Sequence, residues 1–400
     1  MLDFKRVIDE ITDELIEFRH DLHAHPETAY EEKRTAARVG TELAKLPNLR
    51  ITSDLGGTGV MAVLNAHKAS PCVALRADMD ALPLMEKTDL RYASRNAGKM
   101  HACGHDGNTT CLVGAARVLD RFADQLAGAV KFIFQPAEEG GAGALRMIEA
   151  GVLDSPHVDA TFALHGWPDV NLGAIALTDG PILAAAEAFD ITITGRGAHG
   201  AYPHEGSDVI LAAAHLITML QGVRTRFVDP MDPVVVSVCQ VTAGDTHNTL
   251  PDTCRLKGTF RALRQSTHER VAALVKQFLR MVTDSFEVQA QYESFAAYPS
   301  TVNDPTCAAL VADVAAEVLG SDNVDRSTAA GMGAEDFSFF ARQVPSTLYK
   351  LGLLPAGMAE MPPLHNPRFD FTDAAVPLGV HLHCAIAHRF LASPPTWQCG

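Results

Sequence analysis

Cys103 and His105 stand two residues apart in Met100-His-Ala-Cys-Gly-His-Asp106, and a thiolate beside an imidazole suits zinc and other late divalent ions. In an extended segment both side chains point to one side and reach one site. Glu138 and Glu139 follow the apolar run Phe132-Ile-Phe-Gln-Pro-Ala and precede two glycines. Consecutive carboxylates at such a turn can aim one oxygen at a metal and another at a water beside it. His165, in Phe162-Ala-Leu-His-Gly-Trp167, and His365, in Pro363-Leu-His-Asn-Pro367, add imidazoles. Asp78 and Asp80, again two apart, are spaced to orient ligand histidines from behind. Each group also has a plain structural reading when taken alone: a buried cysteine next to a turn histidine, a solvated acidic pair, or isolated histidines among the 17 in the chain. As a set they point to metal-dependent hydrolysis.

The elements that must position these residues are read from periodicity. Phe4, Val7, Ile8, Ile11, Leu15, Phe18 and Leu22 recur at helical spacing before Pro26, so 3–23 reads as an amphipathic helix. Apolar runs at 59–64, 72–76, 130–134 and 160–164 read as strands, with helices at 109–122 and 141–148. That alternation implies an α/β sheet covered on both faces. Asp78 and Asp80 then fall beyond the 72–76 strand, Glu138 and Glu139 beyond 130–134, and His165 beyond 160–164. Open α/β sheets carry their sites at those strand ends.

The middle of the chain has a different order. Strands at 188–195, 233–242, 254–263 and 287–293, with helices at 207–222 and 267–284, give β-α-β-β-α-β, the ferredoxin-like split unit. Residues 187–296 therefore read as a small domain inserted into a catalytic domain made of 1–186 and 297–400. Helical periodicity resumes at 306–319, and the tail from Ser393 is expected to fray.

A length of 400 residues exceeds what one core usually holds, in keeping with two domains. The formal charge is -15 and no dense block of Lys or Arg occurs, which argues against nucleic acid or an anionic leaflet as partner. Residues 1–19 lack the apolar core of a signal peptide, and no long apolar run occurs, so a cytoplasmic enzyme is expected. The eight cysteines are scattered without the spacing of a disulfide scaffold; Cys72 and Cys239 read as small core residues.

Six runs, taken in order, resemble the amidohydrolase branch of the M20 metallopeptidases. They are Phe18-Arg-His-Asp-Leu-His-Ala-His-Pro-Glu27, Leu75-Arg-Ala-Asp-Met-Asp-Ala-Leu-Pro83, Met100-His-Ala-Cys-Gly-His-Asp-Gly107, Gln135-Pro-Ala-Glu-Glu-Gly140, Gly195-Arg-Gly-Ala-His-Gly200 and Gly333-Ala-Glu-Asp-Phe-Ser338. That branch includes hippurate hydrolases, N-acyl-amino-acid amidohydrolases and plant auxin-conjugate hydrolases.

The resemblance implies a metal-dependent exopeptidase-like catalytic domain with an inserted lid and dimerisation domain. It implies two divalent ions (Zn, Mn, Ni or Co) held by Cys103, His105, Glu139, His165 and His365, with Glu138 as general base toward a water shared by the ions. It further implies that His199 reaches an active site across a homodimer or homotetramer to bind the carbonyl oxygen, and that Asn248 and Arg261 contact a substrate carboxylate. The implied substrate is a small N-acyl amino acid of the N-benzoylglycine or N-acetyl kind. Indole-acetyl amino acids, N-acetyl-diaminopimelate and dipeptides are the runners-up. A metal-binding protein without turnover is the alternative from another class, and the presence of Glu138 argues against it. One departure stands out: the branch usually has His where this chain has Asn108, which is therefore not carried over as a ligand.

Overall fold

The apolar stripe from Phe4 to Leu22 is the buried face of a helix over Phe4–Ala24, capped by the Asp3 side chain, which accepts the Arg6 N–H. The computed structural model describes residues 2–395; Cys399 and the last part of the tail expected to fray lie outside them. The opening helix packs with the helices His105–Asp120 and Val376–Ala392. At their junction a Cβ on Gly114 would come within 2.5 Å of Val380 and 2.8 Å of Leu15, so only glycine lets the backbones approach this closely. Leu15 and Leu22 are fully buried there, each worth about 1.5–3 kcal/mol of apolar transfer.

The chain divides into two compact units. The first comprises Met1–Ile182, Val302–Ala329 and Asp336–Gly400. Its eight-stranded sheet runs Leu49–Leu55, Gly59–Leu64, Ala129–Gln135, Cys72–Asp78, Ala160–Asn171, Ser346–Leu354, Ile175–Ala176, Val324–Asp325. Its centre is parallel: Cys72–Asp78 lies between Ala129–Gln135 and Ala160–Asn171, and Ser346–Leu354 continues the sequence. Cys72–Asp78 and Ala129–Gln135 are buried at every position, as a sheet covered on both faces requires.

The second unit comprises Leu183–Thr301 and Ala330–Glu335. Its antiparallel sheet has the order Val234–Ala243, Thr253–Ala262, Ala185–Thr194, Gln289–Tyr298, the ferredoxin-like arrangement. Phe189, Ile191, Ile193, Leu256 and Phe260 form one core with Leu216 of the helix Val209–Gly222 and with Val271 and Phe278 of the helix Gln265–Phe286. The unit is wider than 187–296 because its first strand in chain order starts at Ala185 and its last ends at Tyr298. The return segment also joins it: Ala184 N–H donates to the carbonyls of Gly331 and Gly333.

Cys239 departs from expectation. It is exposed, at a register shift between Val238 and Gln240, whereas Cys72 is buried. Among the described residues no helix is long and apolar enough to cross a membrane.

Candidate metal centre

Gly104 precedes the helix His105–Asp120 with φ +86°, and a Cβ there would lie 3.2 Å from the Phe371 ring. A left-handed turn, not an extended segment, thus carries Cys103 and His105 to one place. His165 also differs from expectation. It lies inside the strand Ala160–Asn171, because pairing with Ser346–Leu354 continues through Lys350–His165 and Gly352–Trp167. Asp78 is the last residue of its own strand. Ala137, just before Glu138, has φ +54°, and His365 has φ +64°. Left-handed backbone at non-glycine residues costs about 1–2 kcal/mol each and is found where surrounding structure enforces it.

Ligand-type atoms of Cys103, His105 and His165 lie within 4.8 Å of one another, as do those of Cys103, Glu139 and His365. Those of His105, Glu138 and Glu139 meet the same limit. Cys103 is common to the first two groups: its Sγ is 3.6 Å from His165 Nε2, while His365 Nε2 is 3.1 Å from Glu139 Oε1. The first two groups share Cys103 and together bring five ligand-type side chains to one place.

Three polar side chains hold the cluster in place. Asp80 accepts the Glu138 N–H at Oδ1 and the Glu139 N–H at Oδ2, both at 3.0 Å. Its backbone carbonyl accepts from His105 Nδ1 at 2.8 Å. Asp80 thus meets His105 Nδ1 through its main chain, with Oδ1 also 3.4 Å from that nitrogen, and gives its carboxylate to the N–H groups of the Glu-Glu turn. Asn108, fully buried, donates from Nδ2 to Asp78 Oδ1 at 2.9 Å and accepts the Gly166 N–H at 3.1 Å.

Asp336 was not singled out from sequence. It accepts from Arg76 Nη2 at 3.0 Å, from Gln135 Nε2 at 2.8 Å and from the Ala144 N–H at 3.0 Å, and its own N–H faces Glu138 Oε1 at 3.4 Å. Its motif carried the family resemblance, and a charged Arg76 inside an apolar strand was the available signal that a buried carboxylate must answer it.

The electrostatics favour a cation. Burial pushes the Cys103 thiol well up, and the nearby Glu139, Glu138 and Asp78 carboxylates add to the effect. Burial opposes charge on His105, but Asp78 and Asp80 outweigh it and push the imidazole up to about 10. Glu139 is held low despite burial, chiefly by His365 and His105. His105 Nε2 is buried with no hydrogen-bond partner, and Asp78 Oδ1 is 3.8 Å away. An orphaned imidazole nitrogen amid a thiol and carboxylates fits a divalent ion, which would also remove the thiol proton.

The inserted unit gathers the remaining candidates. His199 and Thr249 pair across a short ribbon of Ala198–His199 and Thr249–Leu250, and the Gly200 N–H donates to the Asn248 carbonyl. His199 and Asn248 are exposed on this ribbon. Arg261, on the neighbouring strand Thr253–Ala262, donates from Nη1 to the Met332 carbonyl at 2.9 Å.

A parallel-centred sheet with ligand-type side chains gathered around its strand ends, interrupted by an antiparallel unit, defines a metal-dependent hydrolase. The model of peptidase family M20/M25/M40 matches residues 74–389, and the chain belongs to that family. It is 36% identical over 389 residues to IAA-amino acid hydrolase ILR1-like 4 of Arabidopsis thaliana, covering 96% of this chain and 87% of the relative. It is 37% identical over 302 residues to the N-acyl-L-amino acid amidohydrolase of Geobacillus stearothermophilus, covering 75% and 81%. Among solved structures, a dinuclear metal-binding M20 peptidase from Bacillus subtilis superposes with a TM-score of 0.82 at 31% identity, over 96% of this chain and 99% of that one.

Proposed function

We propose that this chain hydrolyses the amide bond of small N-acyl amino acids at a centre of two divalent ions. One water is consumed, and a carboxylic acid and a free amino acid are released. The observation that carries this reading is the meeting of Cys103, His105, Glu139, His165 and His365 in overlapping donor groups with Glu138 alongside. These five residues hold the ions. When bound, the ions supply a water that deprotonates near neutral pH and a positive site for the carbonyl oxygen. Glu138 takes the water's proton as the new C–O bond forms and returns it to the nitrogen as the C–N bond breaks. Asp80, through the Glu138 N–H, and Asp336, facing its Oε1, keep that carboxylate aimed.

His199, contributed through a homodimer of inserted domains, binds the carbonyl oxygen. Asn248 and Arg261 receive the carboxylate of the amino acid, for which a planar guanidinium fork is suited. The names of the two relatives, an IAA-amino acid hydrolase and an N-acyl-L-amino acid amidohydrolase, support the substrate class.

The test is exhaustive chelation followed by assay on a panel of N-acyl amino acids. Metal-free protein is expected to release no amino acid, and Mn, Zn, Ni or Co to restore release. Undiminished hydrolysis without metal overturns the proposal.

A further inference from the structure

His365 has neither helix nor strand beneath it: it lies between the strand Ser346–Leu354 and the short turn Asp373–Ala375, and its side chain is 54% exposed. Its N–H donates to the Ala102 carbonyl at 2.8 Å, which ties it to the Cys103 turn. The chain that follows is gathered on one buried guanidinium. Arg19, on the opening helix and fully buried, donates from Nη1 to Asp106 Oδ2 at 2.9 Å and to Asp370 Oδ1 at 3.0 Å, and from Nε to Asp373 Oδ1 at 2.7 Å. Its Nη2 donates to the Tyr92 hydroxyl at 2.9 Å, which in turn donates to Asp370 Oδ2 at 2.8 Å. Asp106 directly follows His105, and Asp370 lies five residues beyond His365. A single nitrogen, Nη1, therefore joins the two turns that bear these ligand candidates. The rings of Phe369 and Phe371, fully buried, pack between them, so close to Gly107 that a Cβ there would enter the Phe371 ring.

We propose that Arg19 is the positioning residue for the His365 turn: by holding Asp106 and Asp370 on one nitrogen, it keeps His365 against Glu139 so that these two and Cys103 close on one ion. The inference rests on the reading of these residues as ligands. Charge balance alone does not ask for the arrangement. Asp106, buried beside Arg19, already neutralises one guanidinium, whereas the side chains of Asp370 and Asp373 are 29% and 33% exposed and could face water instead. Both turn inward, and each takes a different N–H direction of the planar fork. Lys has the same charge but no fork, so it cannot hold three carboxylates on three segments at once.

The experiment titrates metal-free full chain with Co²⁺, followed by visible absorbance and by bound metal per chain after dialysis. The unsubstituted protein is expected to take two ions. Asp370→Ala, at a partly exposed position, is expected to weaken one of them by at least about tenfold and to leave the other unchanged. Arg19→Lys, which keeps the charge and loses the fork, should weaken the same ion. The decisive readout is a cycle with His365→Ala: if Arg19 acts through the His365 turn, Asp370→Ala lowers Co²⁺ affinity no further once His365 is gone. A purely structural role would lower it in both backgrounds. Asp370→Ala that binds both ions like the wild type, or that weakens binding equally with and without His365, overturns the inference and leaves the ligand reading standing. Should Arg19→Lys fail to fold, the Asp370 cycle decides by itself. Wild-type protein that binds no Co²⁺ defeats the ligand reading, and this inference with it.

Discussion

Asn108 donates its side-chain amide to Asp78 Oδ1 at 2.9 Å, with both residues fully buried. Its carbonyl end accepts the Gly166 N–H, so one amide ties the end of the Cys72–Asp78 strand to the residue after His165. Asn108→Ala leaves a buried carboxylate oxygen and a buried N–H without these partners. Each such loss costs about 1–3 kcal/mol, and mutation of groups that orient metal ligands typically lowers metal affinity about 10–100-fold. Calorimetric unfolding and metal titration should show both effects. Asn108→His retains one donor and one acceptor and should lose less. If Asn108→Ala unfolds and binds metal like the wild type, the amide holds nothing.

Glu138, 6% exposed, has its main chain fixed by Asp80 and its Oε1 facing the Asp336 N–H. Glu138→Gln preserves size and burial but cannot take a proton. Expected is a fall in kcat of about 10²–10⁴-fold, with metal content by atomic absorption unchanged. Loss of an ion in this variant would make Glu138 a ligand and not the base.

Asp80 meets two N–H groups with two oxygens, a job that an amide cannot do, since one end of Asn would present donors to a donor. Asp80→Asn should therefore loosen the Glu138-Glu139 turn, weakening metal binding by about 10–100-fold as well as turnover. Metal affinity equal to the wild type would show that the turn is held by its neighbours alone.

The donor chemistry of Cys103, His105, Glu139, His165 and His365 is visible residue by residue, but it was the resemblance to the M20 family that joined them into one set. The β-α-β-β-α-β order was legible because period 2 and period 3.6 differ plainly in the Ala185–Tyr298 region. The geometry was less so. Gly104 bends where an extended segment was expected, and a left-handed glycine leaves no local mark beyond being glycine. Gly166-Trp167-Pro168 resembles a turn, yet the neighbouring Ser346–Leu354 strand keeps His165 within a ladder, a long-range pairing that overrides local propensity. Asp336 sits 260 residues from Arg76 in sequence, and only folding brings the two within 3.0 Å.

Behind the centre, Asp106 accepts from His23 Nδ1 and from Arg19 Nη1, both at 2.9 Å, with all three side chains fully buried. Burial works against charge on His23, but Asp106, joined by Glu86, outweighs it and pushes the imidazole up to about 9. The native state thus holds this proton more tightly than the unfolded chain, whose histidine titrates near 6.5. The resulting stabilisation, on the order of 3 kcal/mol, is complete below about pH 6.5 and is lost as pH rises through about 9. Urea unfolding of metal-free protein from pH 6 to pH 10 should show wild-type stability falling more steeply across that window than that of His23→Gln. The difference between the two curves isolates His23 from other groups titrating there. Parallel curves would mean that His23 is neutral in the folded protein and that Arg19 alone balances Asp106.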